Sequence, residues 1–452
     1  MKRFYFVTIF ILMYSVSGQA QFTLERCQTL ARENYPLIKQ YGLIEQSTDY
    51  SVSNALKAYL PQVSFSAQAT YQSDVAAFPK KMTDMYEQIG INMKGLNKDQ
   101  YRVALDVNQT IWDGGLTRAQ KESLKAEGDV SAQSVEIELY ALRERINRMY
   151  FGILILNEQL RQNHLLQELL QSNYNTVDAY VKNGIAMPGD LQAIRAEQLT
   201  VSQQRIQIES AAKAYRTLLS VMTGQTIDDA TTFEKPPAIV SGGSNAYPTV
   251  AVSGGRFENR LSVITSLSNN RPELRLFDMQ SEQLEVRKRS VVATTMPRLG
   301  VFVQGFYGNP GLNLFKDMTE NKWTWNYIAG LRLQWNFGNY YTKKGDIAKL
   351  SLAQQQIDNR RETFLFNSGL LEIQQHQAID KMRKMMFDDD EIIRLRKSIR
   401  LSSEAKFANG AITINELLKD ITAESQALLS KALHELEWLQ NIYELREIMN
   451  ND

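Results

Sequence analysis

Short stretches in which apolar and polar residues take turns interrupt long stretches with apolar residues three and four positions apart. Val63, Phe65, Ala67, Ala69 and Tyr71 alternate with Ser64, Ser66, Gln68 and Thr70, the period of a strand with one apolar and one polar face. Pro61 marks where the preceding helical pattern stops. The residue before a proline leaves the α region, and proline itself cannot donate to a sheet ladder. A second strand is predicted over 101–112: Val103, Leu105, Val107 and Ile111 face one way, Ala104, Asp106, Asn108 and Thr110 the other, with Gln109 out of step. Each is about ten residues, the length a tilted strand needs to cross a bilayer.

Asp113-Gly114-Gly115 breaks the second strand, and a proline-free helical pattern then runs over 116–182. A helix of that length rises about 100 Å, far more than a globule needs. Ile146, Met149, Ile153, Leu156, Leu160, Leu170, Tyr174, Val177 and Val181 form a coiled-coil type seam, interrupted by Asn163 and Gln167. A turn at 183–190 reverses the chain into another helix over 190–222. The stretch 223–269, with Pro236, Pro237 and Pro248 and two glycine pairs, reads as an irregular connection.

The same order of patterns then returns. Met296-Pro297 echoes Leu60-Pro61, Trp335 to Gly338 echoes Thr110 to Asp113 at an offset of 225, and Asn409-Gly410 echoes Asn183-Gly184. Strands are expected over 297–307 and 327–337, helices over 341–408 and 414–449. An internal duplication, 21–222 and 270–452 around the connection, thus replaces the two or three ordinary domains that 452 residues would suggest.

Residues 1–20 carry Lys2 and Arg3, an apolar run and small residues near Ala20, the pattern of a secretory signal peptide. Without Lys2 and Arg3 the chain holds 49 basic and 50 acidic residues, which gives no support to nucleic-acid binding. The only cysteine, Cys27, reads as a partly buried helix residue and excludes an intrachain disulfide or zinc cluster. His164, His376 and His434 lie in polar helical stretches without ligand-spaced partners and read as solvated. No phosphate loop or sequence-readable carboxylate pair supports an enzyme. No catalytic residue, cofactor or metal is expected.

Four membrane-length strands cannot close, and an open edge in lipid leaves unpaired backbone groups that cost several kcal/mol each. Other copies of the chain must complete the sheet. Two copies would enclose a packed interior, three a possible lumen. Trp112 and Trp335 at one end of the strands, with Trp323 and Trp325 at the other, suit the aromatic girdles of such barrels. Ser64, Ser66, Gln68, Asp106, Asn108, Arg332 and Gln334 are expected to face the lumen.

With its duplicated proline-to-strand junction, its Asp113-Gly114-Gly115 strand exit and its paired turns, the chain resembles the TolC family of outer-membrane efflux proteins over essentially its whole mature length. The resemblance implies an α+β membrane protein: a homotrimer whose twelve-stranded β-barrel sits in outer-membrane lipid and continues as a long periplasmic α-helical barrel. It also implies a passive exit duct, for efflux or type I secretion, docked to a periplasmic adaptor (membrane fusion protein) and an inner-membrane RND or ABC pump. Asn183, Gly184, Ile185, Asn409, Gly410 and Ala411 then fall in adaptor-contacting turns. Asp190, Phe407 and Glu416 fall at the periplasmic gate, although Asp190 and Glu416 equally suit acids favoured by a helix N-terminus. Ile412 and Lys419 depart from the arginine and aspartate latch of some members, and Asp420 would point off that face. The rival reading is a non-conducting periplasmic coiled-coil adaptor or scaffold, which would normally carry one helical hairpin rather than two with strand pairs at their far ends.

Overall fold

The computed structural model describes residues 22–93, 95–238 and 270–450. The expected signal peptide and most of the 223–269 connection lie outside the described residues. Residues 41–134 and 273–361 form one compact unit, and the remaining segments form a second. The units therefore do not coincide with the sequence repeats, because the strands of both repeats pair into a single sheet.

In the sheet unit, α2 (Gln40–Leu56) leads through a 3-10 turn at Lys57–Tyr59 into β1 (Gln62–Tyr71). Preceding α2 in the chain are α1 (Leu24–Asn34) and a 3-10 turn at Pro36–Lys39, which realise the break expected near Pro36. The loop after β1 holds a short helix, α3 (Lys80–Gln88), before β2 (Asp99–Trp112). The second repeat supplies α6 (Pro272–Thr294), β3 (Arg298–Asn309), α7 (Leu314–Glu320) and β4 (Thr324–Gln334). All pairings are antiparallel in the order β1-β2-β3-β4. Among the described residues neither edge strand, β1 or β4, has a further partner.

Strand four differs from the 327–337 expected from alternation: it begins at Thr324 and ends at Gln334. Trp335 is drawn away to donate its indole N–H to the Thr295 carbonyl at 3.0 Å, and Asn336 closes a turn by accepting the Gly338 N–H at 3.0 Å. Asp113 accepts the Gly115 N–H at 3.0 Å in the same way. Equivalent strand exits therefore lie 223 positions apart, not 225. The hairpin glycines Gly184 and Gly410 stand 226 apart because α8 (Asn339–Ala408, 70 residues) is three residues longer than α4 (Leu116–Lys182, 67 residues).

In the helical unit, the C-terminal part of α4 packs with α5 (Pro188–Thr223), α9 (Ile414–Met449) and α1. One core joins Leu24, Cys27 and Ala31 of α1 to Ile146, Tyr150, Phe151 and Ile153 of α4, Leu219 of α5 and Leu439 of α9. Cys27 is fully buried rather than partly so, and burial pushes its thiol up to about 12, which leaves it protonated and inert. The seam interruption at Asn163 is a clip: the buried amide donates to the Val201 carbonyl of α5 at 3.0 Å. Phe22 and Phe233 form a parallel bridge, so the start of the described chain pairs with the inter-repeat connection.

The histidines are not uniformly solvated. His164 is, but His434 of α9 turns inward to the buried Asp389 of α8 at 2.9 Å, and His376 is half-buried beside Glu372. Facing helices provide the carboxylate and the cover that a single-helix reading does not show.

Candidate channel-lining sheet and helix turns

Directly opposed residues of an antiparallel pair share a face, so the register sorts every strand residue. Ser64 opposes Asp106, which opposes Gln304, and Gln62 opposes Asn108, which opposes Phe302. Arg332 opposes Gly300, and Gln334 opposes Arg298. All seven residues expected to line a lumen thus lie on one face of one sheet. On the other face stand Val63, Phe65, Leu105, Val107, Val303, Leu331 and Leu333. Phe65 and Leu331 are each 71% exposed. From Tyr101 to Leu333 this apolar face carries no charged residue.

The polar face is the more covered one in the single chain. Ala104 and Phe306 on it are only 4% exposed. The Arg102 guanidinium lies 3.9 Å from the Phe306 ring centre and donates to Gln304 Oε1 at 2.6 Å, while the Gln304 amide donates to Asp106. Arg332 sits 4.6 Å over the Phe302 ring. Neither Arg102, Gln304 nor the two phenylalanines was singled out from sequence: alternation puts Arg102 on the face of Ala104, but these contacts need partners on other strands.

Two aromatic groups border the apolar face. Tyr101, Trp323, Tyr307 and Trp325 stack in sequence at the loop end, with centroids 4.9 to 5.9 Å apart. Trp335 packs on Phe337 at 4.7 Å at the helix end, which Trp112 also occupies. No described helix is long and apolar enough to cross a membrane.

At the helix end, Asp113 ties strand to helix. It accepts the Tyr59 hydroxyl at 3.1 Å and the Thr117 N–H at 2.7 Å. Burial alone would raise its carboxyl, but hydrogen bonds from Thr117, Tyr59 and Gly115 outweigh that and hold it below its usual range.

In the helical unit, both hairpin turns close α4 and α8 in the same manner. Gly184 N–H donates to Val181 O at 3.1 Å and Ile185 N–H to Tyr180 O at 2.8 Å. Gly410 donates to Phe407 O and Ala411 to Lys406 O, both at 2.9 Å. Each is a Schellman closure with its glycine left-handed, at φ 72° and 69°. Ile185 and the following Met187 are exposed.

The three residues matched to the gate occupy defined local roles. The Asp190 carboxylate accepts the Met187 N–H at 3.0 Å. Glu416 and Thr413 cap one another reciprocally, at 2.9 and 3.3 Å. Phe407 is half-buried with its ring 6.4 Å from Tyr180, against a core of Leu170, Val177, Ile194, Leu417 and Ile421. Asp420, expected to point off the latch face, accepts the Ser403 hydroxyl of α8 at 2.5 Å. One helical turn further, Arg400 pairs with Glu424 and Glu404.

The sheet has one apolar and one polar face, and the helical unit is built of very long paired helices. Residues 29–225 match the family model described as outer membrane efflux protein. The fold match extends over nearly the whole chain. The outer-membrane channel OprN superposes with a TM-score of 0.62 at 14% identity, covering 95% of this chain and 90% of that one. The outer membrane protein VceC from Vibrio cholerae gives 0.63 at 11%, covering 94% and 95%. The Campylobacter jejuni CmeC outer membrane channel gives 0.60 at 13%, covering 94% and 85%. No curated protein matches the sequence. The family model matched over residues 29–225 describes the same family that the repeated motifs resemble, and the fold match covers both repeats.

Proposed function

We propose that this protein is the outer-membrane exit duct of an efflux or type I secretion assembly, passively conducting cargo delivered by a periplasmic adaptor and an inner-membrane RND or ABC pump. One observation carries the reading: a single open sheet with an exposed apolar face that is uncharged from Tyr101 to Leu333, a polar opposite face and two edges without partners among the described residues. An isolated scaffold protein in water would be penalised for such a surface, whereas closure with further copies in lipid satisfies both the face and the edges. Three chains close twelve strands around a lumen, lined by Ser64, Ser66, Gln68, Asp106, Asn108, Arg332 and Gln334. The helical hairpins then form the periplasmic tunnel, with the turns at Asn183, Gly184, Ile185, Asn409, Gly410 and Ala411 as the adaptor's contact points.

Asp190, Phe407 and Glu416 serve the gate through the tip's packing, since each is already engaged as a cap or core residue. Opening shifts that packing rather than freeing a loose side chain. Cross-linking in membrane extracts tests assembly, and a trimer is expected. Conductance in planar bilayers tests function, and it should rise when Asp190 and Glu416 are both changed to alanine. A protein that stays monomeric and non-conducting in lipid would instead fit the scaffold reading.

A further inference from the structure

We propose that the polar face of the sheet is an electropositive wall that favours anionic cargo, such as carboxylate-, phosphate- or sulfate-bearing solutes, over cationic cargo. The inference rests on the duct reading above and names the substrate class of that surface. Across all four strands the polar face carries three arginines, Arg102, Arg298 and Arg332, one carboxylate, Asp106, and no lysine. Arg298 and Arg332 stand at the helix end, Arg102 towards the loop end and Asp106 between them.

None of the three arginines makes an ion pair among the described residues. Gln304 separates Arg102 from Asp106, accepting from the first and donating to the second. Asp106 is thus engaged by a neutral amide while the Arg102 charge is left uncompensated. Arg332 is held over Phe302, whose ring lies against Gly330 so closely that a Cβ there would come within 3.1 Å of it. Guanidinium groups suit this placement: they stay charged, hydrate weakly and stack on aromatic rings, so Phe306 and Phe302 fix two cations without neutralising them. A confined passage lined by one sign of charge concentrates the opposite ion, and copies of the chain around a lumen multiply the effect.

The test is ion selectivity of the full-length protein in planar bilayers under a KCl gradient. Arg102→Gln with Arg332→Gln is expected to lower the chloride-to-potassium permeability ratio several-fold. Arg102→Lys with Arg332→Lys should keep the wild-type ratio, and Asp106→Asn should raise it. The differences should shrink in concentrated salt, which screens fixed charge. An unchanged ratio in the glutamine variant, or a lysine variant that behaves like it, overturns the proposal. Conductance with no charge effect sinks only this inference, whereas absence of conductance in every variant sinks the duct reading with it. Arg332→Gln alone, at an exposed side chain, repeats the measurement where the double variant does not insert.

Discussion

Trp112 lies directly opposite Leu299, and Ile111 is squeezed out between that pair and Thr110 opposite Gly300. Strict alternation would put Trp112 on the polar face with Thr110. The bulge moves it to the apolar face, level with the helix-end aromatics. Deleting Ile111 should regularise the ladder and leave Trp112 on the apolar face opposite Leu299, because Trp112 then directly follows Thr110. The expected result is protein that still assembles in the outer membrane, read by fractionation and heat-modifiable migration; a marked loss would contradict this placement of Trp112.

Neighbouring residues on one strand should respond oppositely to charge. Phe65 is exposed on the apolar face and Ser66 lies on the polar one. Phe65→Lys is expected to cost about 2–4 kcal/mol of stability in lipid, the penalty for a lysine on a lipid-facing site. Ser66→Lys should cost far less. Equilibrium unfolding in lipid vesicles compares them, and equal losses would contradict the assignment of faces.

The strand exit should depend on the Asp113 carboxylate. Asp113→Ala removes acceptors for Gly115, Thr117 and Tyr59 and should cost about 1–2 kcal/mol, as for lost helix caps. Asp113→Asn should cost less, because Asn336 makes the equivalent turn in the second repeat. The folded carboxyl titrates below its ordinary value of 3.8. Its contribution is therefore complete above that pH and lost as pH falls through the folded value, so the gap between wild type and Asp113→Asn should close in acid.

Three glycines at the helix turns separate backbone strain from crowding. Nothing lies within 4 Å of a Cβ built on Gly184, Gly410 or Gly189, but only the first two have positive φ. Alanine at Gly184 or Gly410 is expected to cost about 1–2 kcal/mol. Gly189→Ala, in the first turn of α5, should be neutral or stabilising by up to about 1 kcal/mol. Thermal denaturation by circular dichroism distinguishes them.

Glu447 makes the helical unit lose stability between mildly acidic and neutral pH. Burial pushes its carboxyl up to about 8, with Arg143 opposing that rise and Glu144 and Glu444 adding to it. Asn147 donates to one of its oxygens at 2.5 Å. The folded state holds a proton that the unfolded chain gives up near 4.5, so stability should decline as pH rises from about 4.5 to about 8. Glu447→Gln, which stays neutral, should flatten that decline in melting curves taken across the range.

Much of this architecture was legible from the chain alone. Alternation and Pro61 located β1, and the proline-free seam located α4, because period and backbone restriction are local properties. The repeat of those signals in order carried the resemblance to the family. Local patterns also assigned one face to Ser64, Asp106 and Arg332, since inversion of side chains along a strand needs no partner.

Tertiary structure decided what depends on residues distant in sequence. The bulge at Ile111 and the early end of β4 arise from competition between ladder bonds and contacts such as Trp335 with Thr295. His434 became a half-buried partner of the buried Asp389, and Asp420 a partner of Ser403, only because α8 and α9 face each other. Asp190 and Glu416 were readable as acids at a turn, but their capping bonds required the backbone geometry. Alternation alone puts Arg102 on the polar face, but its contacts there, with Phe306 and Gln304 about two hundred residues away, come from the tertiary structure. Sequence alone determined the periods and their duplication, whereas the structure decided which charges those periods left uncompensated, because compensation is a matter of distance in space.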